Sequence, residues 1–294
     1  MKSSEENLRS GSVVFVGRPN VGKSSLINRL LGRDVAAVTP KPNTTQQPLN
    51  MTATLDQTQW LLVDTPGEVL QATKSASVAK ASGKTNSTGL SDWLDADLVV
   101  FVIRGQQWTK AEDHWLKRLQ ERQGPILLVI NQIDRIKQKS ELLPWIKTLN
   151  GKHDFVAIIP LSATRGTNVD ALQEQLNTQL PAQSVTTLPE IDKTSHRLTE
   201  LIECLREQLL WQLHDEIPYT TQVNVLQIEQ KPDQWLVDAE FVVARDRHRG
   251  IIIGRGGQQL KNIGMKARKK LEKLWNKPVV VRLTVVTGGR DQKS

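Results

Sequence analysis

Gly17-Arg18-Pro19-Asn20-Val21-Gly22-Lys23-Ser24 has the residue types and spacing of a phosphate cradle: a Gly-rich turn that closes on Gly-Lys-Ser. Its glycines let main-chain N–H groups converge on phosphate oxygens, and a helix starting there aims its positive end at the same anion. Lys23 supplies a point charge for the terminal phosphates, and the Ser24 hydroxyl a ligand for Mg2+. Such a cradle implies a nucleoside triphosphate without choosing its base. Asp64-Thr65-Pro66-Gly67 offers a carboxylate that can hold the metal through water and a glycine N–H that can sense the terminal phosphate. Asn131-Gln132-Ile133-Asp134 offers a carboxylate for the two N–H groups on the Watson–Crick edge of guanine, where adenine presents an acceptor. The backbone of Ser162-Ala163-Thr164 can reach the guanine carbonyl.

These short matches recur by chance one at a time, and their setting gives them weight. Val13-Val14-Phe15-Val16 reads as a buried strand before the cradle, and Ser25 to Leu31 as an amphipathic helix after it. Trp60 to Val63, Pro125 to Ile130 and Val156 to Leu161 are apolar runs, each ending at the next motif. The sequence here resembles the translation-factor-like GTPases. Asn20 within the P-loop, together with Asp64-Thr65-Pro66-Gly67, narrows the resemblance to the Era-related branch.

The chain has 294 residues, enough for two domains, and its 38% hydrophobic content argues against wholesale disorder. The single cysteine, Cys204, excludes an internal disulfide and fits a small buried helix residue. No apolar run nears membrane-spanning length, and the start, Met1 to Asn7, lacks the apolar core of a signal peptide. A soluble cytoplasmic protein is expected. His114, His153, His196, His214 and His248 have no neighbours at ligand spacing, and His248 reads as an RNA contact or a solvated loop residue. The eight Trp, against one Tyr, fall mostly among apolar residues and are expected in the core.

Charge is uneven. From Arg245 onward there are 14 Lys and Arg against 3 Asp and Glu, whereas the preceding residues hold 25 against 28. That patch fits a polyanion partner, or equally a solvated Lys-rich helix face. Thr199 to His214 reads as a helix, and Val223 to Ile228 with Trp235 to Val243 as two antiparallel strands. Ile251 to Gly264, which contains Gly254-Arg255-Gly256-Gly257, precedes a basic helix from Met265 to Trp275 and a last strand from Val279 to Val286. This order resembles the bacterial type of KH domain, and the P-loop GTPase followed by it resembles the Era family over about Ser12 to Val286.

The resemblance implies an α/β P-loop GTPase domain, a mostly parallel sheet with helices on both faces, over 1–185, then a linker and a smaller α+β KH-type domain over 186–294. It implies GTP binding with slow hydrolysis, recognition of the 3′ end of small-subunit ribosomal RNA, and a part in maturing the small ribosomal subunit. Nucleotide contacts fall to Gly17, Arg18, Pro19, Asn20, Val21, Gly22, Lys23, Ser24, Ser25, Asp64, Thr65, Pro66, Gly67, Asn131, Gln132, Asp134, Ser162, Ala163 and Thr164. Mg2+ falls to Ser24, Asp64 and Thr45, with Thr44 the weaker choice. Catalysis falls to Lys23, Thr45, Gly67 and Asn20, the last able to hold K+ as in related GTPases. RNA contacts fall to Gly254, Arg255, Gly256, Gly257, Lys261, Lys266 and Lys269, over an apolar groove of Ile252, Ile253 and Ile263.

The chain departs from the family at several points. Gln132 stands where Lys is usual, Glu68 where an apolar residue is usual, and Gln46 where Arg is usual. Gln132 is expected to weaken nucleotide affinity without changing base choice. Glu68 either orients water or repels the γ-phosphate. Pro40 to Pro48 and Gln71 to Gly89 read as the switch regions, and Pro181 to Pro189 as the linker. The competing class is a nucleotide-responsive RNA-binding module with negligible turnover. A second rival is a GTPase whose basic C-terminus makes peripheral contact with membrane head groups. A monomer is expected.

Overall fold

The computed structural model describes residues 9–41, 44–45, 49–55, 58–66, 95–182 and 193–288. Gly67, Glu68, Gln46, the Gln71 to Gly89 segment and residues 183–189 of the linker lie outside them. The described residues group into two compact units, one of Met1–Gly32 with Thr45–Ile191 and one of Arg33–Thr44 with Asp192–Ser294. Residues 33–44 thus pack with the second unit, although they fall within the stretch expected to form the GTP-binding domain.

In the first unit, β1 (Arg9–Val16), β4 (Leu98–Arg104) and β5 (Ile126–Asn131) are buried along nearly their whole length. That explains why they read as continuous apolar runs: a parallel sheet covered on both faces has no solvent side. With β2 (Leu49–Leu55), β3 (Thr58–Asp64) and β6 (Ala157–Pro160) they form a six-stranded sheet in the order β2-β3-β1-β4-β5-β6. Only β2 runs antiparallel. The helices are α1 (Lys23–Leu31), α2 (Lys110–Leu119), α3 (Leu142–Asn150) and α4 (Val169–Gln179). Phe101, Ile103, Trp115, Leu119, Leu128 and Ile130 fill one side of the core. The parallel arrangement brings the ends of β1, β3, β5 and β6 to one edge, as ligand sites in such sheets require.

The second unit comprises α5 (Lys193–Gln212), the short α6 (Ile217–Thr220), β7 (Gln222–Gln230), β8 (Trp235–Val243), α7 (Asp246–Ile253), α8 (Gln258–Trp275) and β9 (Val279–Thr287). Its sheet has the order β7-β8-β9, antiparallel then parallel. Alternate residues of β8 (Trp235, Val237, Ala239, Phe241 and Val243) are buried against Leu201, Cys204, Leu205 and Leu209 of α5 and Ile263, Ala267, Leu271 and Trp275 of α8. The basic helix begins at Gln258, earlier than the expected Met265. The four-residue spacing of its apolar stripe runs on through Gly264 and outweighs that residue's low helix propensity.

Three acids of α5 hold residues 33–38 against the helix. Glu200 accepts from Arg33 at 2.9 Å and from Trp275 Nε1 at 2.7 Å. Glu203 and Glu207 accept from the backbone N–H groups of Ala37 and Val38 at 3.4 and 3.3 Å. Trp211, at 52% exposed an exception to the expected core tryptophans, donates to Val38 O at 3.3 Å. Trp60, Trp115, Trp235 and Trp275 are buried as expected. Cys204 is a buried helix residue whose thiol burial pushes up to about 12, which makes it inert.

Leu271→Ala should cost about 2–5 kcal/mol, because Leu271 is wholly buried at the centre of this small core. Urea unfolding followed by circular dichroism would measure it. GDP binding by the first unit should persist under native conditions.

Candidate functional site: a nucleotide cradle and a nucleic-acid interface

The cradle is built where β1 ends and α1 begins. Asn20 (φ 61°) and Gly22 (φ 95°) both take left-handed backbone. A Cβ on Gly17 would meet Val102 O at 2.2 Å and one on Gly22 would meet Asn131 Nδ2 at 2.4 Å, so both positions demand glycine. Lys23 Nζ donates to Gly17 O at 2.9 Å and Arg18 O at 3.1 Å. Burial pulls its pKa down to about 8, against the opposing pull of Asp64. Asp64 is fully buried and its pKa is raised by that burial, with Lys23 and two hydroxyl donors acting the other way.

Ser24 Oγ donates to Asp64 Oδ2 at 2.5 Å, Thr45 Oγ1 does so at 3.0 Å, and the two hydroxyls lie 3.2 Å apart. Asp64 Oδ1 is buried with no hydrogen-bond partner among the described residues. Two hydroxyls and one carboxylate, with one of its oxygens orphaned, are the hard oxygen donors that fit Mg2+. Thr44 turns away: its hydroxyl bonds Thr39 and Lys41 O, both at 2.8 Å. Of the two threonines, it is Thr45 whose hydroxyl stands beside Ser24 and Asp64.

Asn131 stitches the base-reading loops together. Its Nδ2 donates to Val21 O at 2.9 Å, and its Oδ1 accepts from Gln132 N at 2.7 Å and Ala163 N at 3.1 Å. Asp134 Oδ1 accepts from Ser162 Oγ at 2.6 Å, a bond that holds this carboxyl below its usual range and so ionised at neutral pH. Gln132, left-handed at φ 62°, donates through Nε2 to Asn20 O at 3.2 Å, so it keeps a P-loop contact despite replacing Lys. Arg29, which the motif reading missed, reaches Ala163 O at 2.9 Å and Thr164 O at 2.5 Å. A basic residue in the last turn of the helix after a P-loop was the available signal.

In the second unit the Gly254–Gly257 loop joins α7 to α8, and Gly254, Gly256 and Gly257 all have positive φ. Nothing lies within 4 Å of a Cβ built on Gly256 or Gly257. Arg255, Lys261, Lys266 and Lys269 are exposed and make no ion pair among the described residues. By contrast, Arg268 pairs with Glu272 at 2.9 Å and Lys270 with Glu207. Two isoleucines depart from expectation. Ile252 and Ile263 are fully buried in the core, because helical spacing turns them inward, and they do not line an open groove. Ile253 is half-buried, and Ile251 is 49% exposed. His248 is also corrected: it lies within α7, 5% exposed, and is no solvated loop residue.

A phosphate cradle and guanine-reading loops on one sheet edge, with a Gly-x-x-Gly helix pair on a three-stranded sheet in a second unit, define a P-loop GTPase joined to a KH domain. The families described as 50S ribosome-binding GTPase and KH domain match residues 12–132 and 216–289. The chain belongs to the Era family of GTPases: it is 36% identical to GTPase Era of Azotobacter vinelandii over 97% of this chain and 94% of that one. To the Pseudomonas fluorescens protein it is 37% identical over 96% and 92%. Among solved structures, an Aquifex aeolicus Era variant bound to GDP and AlF4− matches with a TM-score of 0.79 at 30% identity, over 96% of this chain and 95% of that one. An Era complex with MgGDPNP and nucleotides 1506–1542 of 16S ribosomal RNA matches with a TM-score of 0.78 at 30% identity, over the same shares.

The protein is thus a GTP hydrolase that uses Mg2+. Phosphoryl transfer to water asks little covalent chemistry of a protein; positioning and charge do most of the work. Ser24, Thr45 and Asp64 would hold the metal, which would supply positive charge to offset that developing on the phosphate oxygens. Lys23 and the cradle amides are the groups placed to hold the β- and γ-phosphates, and Asp134 and Asn131 those placed to fix a guanine base.

Asp134→Asn should lose a charge-assisted pair with guanine at a cost on the order of 1.5–3 kcal/mol, leaving the P-loop contacts intact. Titration of labelled GDP and ADP against both proteins checks this. The wild type should prefer GDP strongly and the variant much less.

Proposed function

We propose that this GTPase binds the single-stranded 3′ end of small-subunit ribosomal RNA through its KH unit, that nucleotide state switches this binding, and that the protein acts in small ribosomal subunit maturation. The observation that carries the reading is the Gly254–Gly257 loop. Its Gly256 and Gly257 have positive φ and open space on their Cβ side, directly before a helix whose Lys261, Lys266 and Lys269 are exposed and unpaired among the described residues. An RNA backbone can approach such a loop closely. The solved Era complex with nucleotides 1506–1542 of 16S ribosomal RNA supports the choice of ligand. The protein works as a cytoplasmic monomer on this reading, and anionic membrane is the rival occupant of the basic face.

Phosphate contacts give affinity that falls with salt, and each lysine removed should lower the log–log slope by about one. Vesicles and duplex DNA would behave alike in that respect. Gly257→Asp separates them, since it puts a carboxylate on the loop and leaves the lysines in place. At one fixed salt concentration it should remove binding to an RNA ending in the small-subunit 3′ sequence far more than binding to anionic vesicles or duplex DNA. Equal and modest losses in all three would reduce the loop to a turn.

Asn20 holds K+ beside the phosphates on the same reading, supported by its place in the left-handed turn of the P-loop. Single-turnover GTP hydrolysis should then be faster in KCl than in NaCl of equal ionic strength, and Asn20→Ala should abolish the difference. Equal wild-type rates in both salts would exclude the ion.

A further inference from the structure

Glu112 lies in the first turn of α2, outside every motif that reads nucleotide, yet it is only 1% exposed. Part of its role is local. Its Oε2 accepts from Thr109 N at 2.7 Å and Thr109 Oγ1 at 2.6 Å, the return half of a capping box. A cap of that kind forms on a solvated helix start and needs neither burial nor a distant partner. Here the second oxygen, Oε1, takes the Nε of Arg18, a P-loop residue far away in sequence. Arg18 is 26% exposed at its side chain, so the pair is closed on the acid's side and open on the arginine's.

The main chain of Arg18 matters for the chemistry. Its carbonyl and that of Gly17 are the two acceptors that hold Lys23 Nζ, at 3.1 and 2.9 Å. The direction in which Lys23 projects therefore depends on how the Gly17–Arg18 backbone is oriented, and the Arg18 side chain anchors that backbone to α2. A buried carboxylate is costly unless paired, so Glu112 holds Arg18 firmly.

We propose that Glu112 is a positioning residue for GTP hydrolysis: through Arg18 it fixes the P-loop carbonyls that aim Lys23 at the phosphates. Many amides hold ground-state GTP, so its affinity depends little on this aim. Charge developing in the transition state depends on it more, because a small displacement of a catalytic cation weakens an interaction that strengthens only there.

Glu112→Gln separates positioning from capping, because glutamine serves the capping box as well as glutamate does but cannot neutralise Arg18. Single-turnover hydrolysis at saturating GTP should fall about tenfold, while GTP affinity changes less than about threefold and the melting temperature stays close to wild type. Arg18→Gln should show the same loss, and the double variant should be no slower than either single one, because both remove one interaction. Asp113→Asn, an acid in the same turn that accepts from Trp108 Nε1 at 2.6 Å, should leave hydrolysis unchanged. A wild-type rate for Glu112→Gln, or losses that multiply in the double variant, would overturn the proposal. If Glu112→Gln does not fold, Arg18→Gln decides alone, and a wild-type rate there also overturns it.

Discussion

Two opposite charges buried at the end of a parallel sheet set the terms for the rest of the first unit. Lys23 and Asp64 are 6% and 0% exposed, and burial works against the charged form of each. Neither position would be tolerable in an ordinary core, where isolated charges cost several kcal/mol. They are sustained by what surrounds them: two main-chain carbonyls on the ammonium, two hydroxyls on one carboxylate oxygen, and mutual attraction. One carboxylate oxygen has no partner among the described residues. That free oxygen suits a cation, and the buried ammonium an anion, as a triphosphate with its metal would supply. Strand order follows from the same constraint, since β1 and β3 must be neighbours for the P-loop lysine and Asp64 to meet.

How much of this could be read from the sequence depended on whether the chemistry was local. The P-loop, Asp64-Thr65-Pro66-Gly67, Asn131 with Asp134, and Ser162-Ala163-Thr164 are each defined by adjacent residues after an apolar run, and the described members stand where that pattern puts them. Arg29, Glu112 and the acids of α5 were not legible, because each acts on a partner distant in sequence: Arg29 on Ala163, Glu112 on Arg18, and Glu200 on Arg33. Each also has an innocent local reading as a helix-end charge, a capping box or a solvated helix face. Nor could the sequence show that residues 33–44 pack with the second unit, because their backbone N–H groups find acceptors on α5.

The isoleucines of the KH unit illustrate a different failure. Ile251, Ile252 and Ile253 are consecutive, and apolar residues beside a Gly-x-x-Gly loop read naturally as a groove for bases. On a helix, consecutive residues point about 100° apart, so three in a row cannot share one face. Core packing took Ile252, the surface kept Ile251, and Ile253 fell between. Ile263 sits four residues before Ala267 on the stripe of α8 that covers the sheet. The apolar surface available to a ligand next to this loop is therefore Ile251 and part of Ile253, smaller than the sequence suggested. On the proposed reading, RNA affinity leans more heavily on the loop backbone and on the exposed lysines.

Glycine is enforced in two different ways in the two glycine-rich loops. At Gly17, Gly22 and also Gly254 a Cβ would strike this chain's own atoms, Val102 O, the Asn131 amide and Gln259 Cβ, so the fold itself forbids a side chain. At Gly256 and Gly257 the Cβ direction is empty and only the positive φ speaks for glycine. A left-handed residue other than glycine costs roughly 1–2 kcal/mol, a strain that Asn20 and Gln132 already carry in the first unit. Strain alone is therefore a weak reason for two glycines side by side. Open space above them is a better one: it leaves the backbone bare where a large ligand has to come close, as a phosphodiester chain does and a compact protein core does not.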